Sequence, residues 1–130
     1  MSISRPTSPH LSVYRWLITN TLSIMHRMTG VGLVVGTLLV VVWLFSAAYH
    51  PKFYYDVQAV MSSLVGRGLM LGWTLAFFFH LGNGIRHLFW DAGYGFGLET
   101  VNKSGWAVLL FTVVMTAVSW GFVFGVPSDV

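Results

Sequence analysis

Three apolar runs free of Asp, Glu, Lys and Arg dominate the chain: Met28 to His50, Gly68 to Ile85 and Gly105 to Val126. Each reaches or approaches the ~20 residues that a helix, rising ~1.5 Å per residue, needs to cross ~30 Å of hydrocarbon. Only 8% of the 130 residues are charged and 55% are hydrophobic, whereas a soluble domain carries roughly a quarter charged residues. A transmembrane barrel would show ~10-residue segments of alternating polarity, and none occurs. The sequence therefore predicts an all-α integral membrane bundle of three transmembrane helices, over about residues 24–50, 66–90 and 104–126. One domain covers 1–130, with residues 1–23 as a surface arm.

Within that arm, Pro6 and Pro9 remove backbone donors and push their predecessors towards extended shapes. Leu11 to Leu22, with Tyr14 and Trp16, reads as a short helix at headgroup level. Arg5, Arg15, Arg27, Arg86 and Lys103 fall on one side of the membrane, against Lys52 and Arg67 on the other. That bias predicts a cytoplasmic (or matrix) N-terminus. The net charge of +3 reads as this topology signal and not as a nucleic-acid patch. The first run is too long for a signal-peptide core, and Tyr49-His50-Pro51 is not a small-residue cleavage site. The first twenty-five residues contain no amphipathic Arg/Ser helix, so no transit peptide is expected in this sequence. With no cysteine, disulfides, iron–sulfur ligation and thiol chemistry by this chain are excluded. The spacings Gly32-xxx-Gly36 and Gly68-xxx-Gly72 would admit a close helix neighbour.

An ionisable side chain at membrane depth is costly and reads by default as functional. His80 is such a residue, midway along the apolar stretch Gly68 to Ile85. At ~100° per residue, Trp73, Phe77, His80, Gly84, His87 and Asp91 share a face of the second helix. That face gives His80 an aromatic floor and a gap at Gly84, with His87 ~10 Å nearer the inner end. An imidazole beside a flat gap suits a haem iron ligand. The alternative is a histidine that hydrogen-bonds a carbonyl across a helix interface. Zinc fits less well, because His80 and His87 are two turns apart and cysteine is absent. The other two helices show no histidine at comparable depth, with His26 and His50 at the ends of the first. A second axial ligand is therefore expected from another chain.

Ser23, His26, Arg27 and Gly30 share a face at the inner mouth of the first helix by the i, i+3, i+4, i+7 rule. Arg86, His87 and Asp91 come to the same level. Such cations and imidazoles could pair with haem propionates through charge-assisted hydrogen bonds. A hydroxyl with an arginine could hold a quinone carbonyl. The alternative is that Arg27 and Arg86 only snorkel to headgroups and set topology.

Two strings carry a specific resemblance. Arg5-Pro6, Ser8-Pro9-His10-Leu11 and Ser23-x-x-His26-Arg27-x-Thr29-Gly30 form the first; His80-x-x-x-Gly84-Ile85-Arg86-His87-Leu88-x-Trp90-Asp91-x-Gly93 forms the second. In order and spacing they resemble the succinate dehydrogenase cytochrome b556 subunits, membrane anchors of respiratory complex II. The similarity covers nearly the whole chain. It implies His80 as axial ligand of a haem b shared with a second membrane anchor. It further implies Ser23 and Arg27 at the ubiquinone site and His26 and Arg27 near the propionates, with Arg86, His87 and Asp91 as supporting positions. The implied partners are a flavoprotein, an iron–sulfur protein and the second anchor, in a hetero-tetramer or a trimer of such tetramers. The implied location is a bacterial, or mitochondrial, inner membrane.

Three rival readings remain at this point. A fumarate reductase anchor would share the architecture and use a low-potential quinol. A small multidrug-type or proton-coupled transporter would need a membrane-embedded acidic residue, and Asp56, Asp91, Glu99 and Asp129 all fall in loops or at ends. An assembly factor without cofactor would be colourless.

Overall fold

The computed structural model describes residues 17–125. The proline-bearing arm, Arg5, Arg15 and Asp129 lie outside the described residues. Four helices follow in order: α1 (Ile18–Tyr49), α2 (Pro51–Ser62), α3 (Leu64–Asp91) and α4 (Leu98–Gly125). Of these, α1, α3 and α4 are long and apolar enough to cross a membrane. The short α2 lies within the connection between the first two of these.

Chain chemistry sets the corners. Pro51 has no N–H to continue α1 and serves as the first residue of α2, with His50 bonded back to the Ser46 carbonyl at 2.9 Å. Ser63 ends α2 and caps α3, its hydroxyl oxygen accepting from the Gly66 N–H at 3.1 Å. A side chain at Gly66 would collide with the carbonyl oxygens of Val60 and Met61, so this corner closes only around glycine. The inner turn uses Gly93 and Gly95 at φ +88° and +84°, a region other residues rarely adopt.

Two helices begin earlier than the hydropathy suggested. The first starts at Ile18, not near residue 24, because Leu22 is 1% exposed and packs with Phe79 and Val108 in the core where α1, α3 and α4 meet. A Cβ at Gly105 would stand 2.8 Å from Leu22 Cδ1, so that glycine lets α1 and α4 touch. The last starts at Leu98, not near 104, in a polar turn carrying an exposed Lys103–Glu99 ion pair of 2.7 Å. At ~1.5 Å per residue each long helix outruns the ~30 Å hydrocarbon layer, so polar ends extend into the headgroup zone.

Of the four spaced glycines, only Gly36 meets a neighbour. Any side chain there would run into the indole of Trp73, whereas Gly32, Gly68 and Gly72 face open space among the described residues. The expected stripe on α3 is also narrower than drawn. Trp73, His80, Gly84 and His87 turn towards α1, but Phe77 is 45% exposed. It lies roughly 60° round the helix from His80, enough to carry it off the contact face.

Candidate functional site

His80 lies eleven residues, or ~16 Å, before the end of α3, and its Nδ1–Cε1 edge rests on α1. Gly30 makes room for it: a Cβ there would sit 3.1 Å from His80 Cε1 and 3.7 Å from Nδ1. Nδ1 is 3.1 Å from the backbone carbonyl oxygen of His26 and 3.3 Å from Oγ1 of Thr29. A carbonyl can only accept, so the proton must reside on Nδ1, and the neutral ring then keeps its lone pair on Nε2. The interface hydrogen bond foreseen as an alternative to ligation is therefore present. It is also the arrangement in which a histidine binds metal through its other nitrogen.

One sequence inference needs correcting. The first helix does bring a histidine to the depth of His80, since the His26 ring stacks on it with centroids 3.9 Å apart and planes 11° from parallel. His26 also fills the gap expected beside Gly84, where a Cβ would lie 3.9 Å from His26 Cε1. The depth argument failed because it placed the start of α1 about six residues too late. The stacking nonetheless makes His26 a poor second axial ligand. A metal sits in the plane of its imidazole along a nitrogen lone pair, so a ring lying over the face of His80 would not be aimed at a metal held by Nε2 of His80.

His87 continues the series, 5.3 Å from His26 and edge-on to Trp90 at 5.0 Å. Nδ1 of His26 is buried and has no hydrogen-bond partner, an unmet polar atom beside His80. A single imidazole with a free Nε2, next to an unsatisfied buried polar nitrogen, has the donor chemistry to hold a haem.

The structure brings Ser23 and Arg27 within one turn of His26 on α1, Ser23 half-buried and Arg27 exposed. Asp91, the last residue of α3, is exposed. Arg86 goes elsewhere. It points to α4, 6% exposed, with Nε 2.9 Å from the Ser104 hydroxyl and one terminal nitrogen 3.0 Å from the Val101 carbonyl. The other terminal nitrogen reaches Oδ1 of fully buried Asn83 at 3.3 Å, and the guanidinium lies 4.1 Å over the Trp90 ring. Sequence reasoning missed Asn83 and Ser104. The i, i+3 pairing of Asn83 with Arg86 was the one available signal. It also left Thr29 without a role.

Residues 1–119 match the succinate dehydrogenase/fumarate reductase transmembrane subunit family. The chain belongs to this family. It is 41% identical over 116 residues to the succinate dehydrogenase cytochrome b556 subunit of Rickettsia felis, spanning 89% of this chain and 90% of that one. Identity to the cytochrome b556 subunit of Paracoccus denitrificans is 40%, over 89% of each chain. The mitochondrial cytochrome b560 subunit of Sus scrofa is 37% identical, over 85% of this chain and 67% of its own. The family match includes Ser23 to Gly30 and His80 to Asp91, the two strings that meet at the stacked histidines.

Proposed function

We propose that this chain is the membrane anchor and cytochrome b subunit of a succinate:ubiquinone oxidoreductase in a bacterial or mitochondrial inner membrane. The observation that carries this reading is the imidazole of His80, held by its acceptors in the tautomer that carries the proton on Nδ1 and free to bind through Nε2. The family description also covers fumarate reductases, but the relatives at about 40% identity are named succinate dehydrogenase subunits, which favours the succinate-oxidising direction.

In this reading Nε2 of His80 would bind the haem iron, and His26 and Arg27 would pair with its propionates through charge-assisted hydrogen bonds. A haem b bound there supplies a one-electron carrier within the membrane. Ser23 and Arg27 orient a ubiquinone carbonyl, hydroxyl and guanidinium both donating. His87 and Asp91 support the inner mouth, and Arg86 supports it indirectly by holding α4 against α3. The face-on placement of His26 favours a second ligand from a second membrane anchor. A flavoprotein and an iron–sulfur protein complete the complex and oxidise succinate. The N-terminus faces the cytoplasm or matrix, as the distribution of arginines suggests.

Purification of the assembled complex tests the reading. A dithionite-reduced spectrum with haem b bands, in a preparation that contains a second small membrane chain, is expected. A complex with full succinate:quinone activity but no haem b bands would contradict it.

A further inference from the structure

We propose that Thr29 is a positioning residue for the iron ligand: its hydroxyl oxygen accepts a hydrogen bond from Nδ1–H of His80. That contact sets the orientation and electron-donating strength of the imidazole. The inference rests on the reading of His80 as ligand.

Thr29 Oγ1 lies 2.8 Å from the Met25 carbonyl oxygen and 3.0 Å from that of His26. Both oxygens accept only, so the hydroxyl hydrogen is engaged within α1 and a lone pair is left for His80, 3.3 Å away. A threonine in a membrane helix ordinarily bonds back to the i−4 carbonyl. Thr112 does so with Val108, and Ser119 with Met115. Thr74 does so with Met70, and its oxygen also accepts from the Trp120 indole N–H at 3.4 Å. At Thr29 the same back-bond orients the oxygen towards an imidazole on another helix. Gly30, the next residue, provides the space that allows the ring to approach. One turn of α1 thus supplies a carbonyl, a hydroxyl and a slot to the same ring edge.

The carbonyl at 3.1 Å is the nearer acceptor and the hydroxyl shares the same N–H. Removing the hydroxyl therefore weakens the bond without abolishing it. Acceptors on Nδ1–H draw the proton outward, make Nε2 a stronger donor and favour ferric over ferrous iron. Loss of the hydroxyl should raise the haem midpoint potential and leave the iron low-spin.

The test is a redox titration of haem b in the purified complex carrying Thr29→Val or Thr29→Ser. An upward shift in Thr29→Val with a low-spin spectrum retained, and a potential near the unaltered value in Thr29→Ser, is expected. An unchanged potential in Thr29→Val, or an equal shift in both variants, would overturn the proposal. If Thr29→Val does not assemble, Thr29→Ala replaces it in the same comparison. Haem loss from both hydroxyl-free variants but not from Thr29→Ser also supports the role, whereas haem loss from Thr29→Ser overturns it. A His80→Tyr complex run in parallel separates the two layers. If that variant keeps its low-spin spectrum the ligand reading fails, and if it alone changes only the role of Thr29 fails.

Discussion

Gly30 and Gly84 flank the same pair of stacked imidazoles but have different consequences. A methyl group at Gly30 would sit 3.1 Å from the His80 ring, so the ring must move by a few tenths of an ångström, whereas at Gly84 it would make an ordinary 3.9 Å contact with His26. Gly30→Ala is therefore expected to lower haem occupancy or distort its spectrum, and Gly84→Ala to leave both unchanged; haem-to-protein ratios in the two purified complexes check this. On the same turn as His26, Arg27→Leu should slow ubiquinone reduction by roughly tenfold or more, since a hydrogen bond from a charged donor contributes about 1.5–3 kcal/mol. Ser23→Ala should slow it by roughly two- to tenfold, since one from a neutral hydroxyl contributes about 0.5–1.5 kcal/mol. Reduction of an artificial soluble acceptor should be nearly unaffected. Equal loss of both activities would indicate failed assembly instead. The strings around His80 and His26 were legible because ionisable groups are rare in a membrane sequence. The role of Thr29 was not legible. A threonine in a helix is chemically unremarkable until a neighbouring helix presents an N–H to it, and no spacing rule within one helix reports that event.

The helices α3 and α4 are joined by a buried cation as well as by apolar packing. Arg86 engages Ser104, the Val101 carbonyl and Asn83 together, and the Trp90 face covers it. Arg86→Leu removes three hydrogen bonds made by a charged group at a membrane helix interface, where such bonds contribute only modestly more than, or about as much as, in water. A loss of about 1–3 kcal/mol follows, read as a lower thermal midpoint of the assembled complex. Arg86→Lys should rescue little, since one ammonium cannot reach three separated acceptors. The spans themselves were plain from the uncharged runs. Their ends were not: Ile18 to Leu22 reads as part of a separate helix at headgroup level, whereas it continues into α1 and Leu22 packs in the core against Phe79 and Val108. Arg86 was read at the level of His87 and Asp91, but its destination on α4 depended on how two helices cross, which the sequence pattern does not encode.

As a whole, the described bundle keeps few apolar side chains inside: Leu22, Phe79 and Val108 form its buried apolar core, while many Val, Leu and Phe side chains stay exposed. In water that ratio would be untenable; in a bilayer, lipid and partner helices cover the remainder. One suitably oriented imidazole on a chain of three candidate spans fits half of the proposed haem site, and the family match agrees with a transmembrane subunit of a larger enzyme. The proposed haem site therefore depends on His80 binding iron through Nε2. Electron paramagnetic resonance of the oxidised complex tests this most directly, comparing the unaltered protein with His80→Tyr. A low-spin ferric signal in the first, lost or converted to high spin in the second while the chain still assembles, is the predicted result. An identical low-spin signal in both would contradict it.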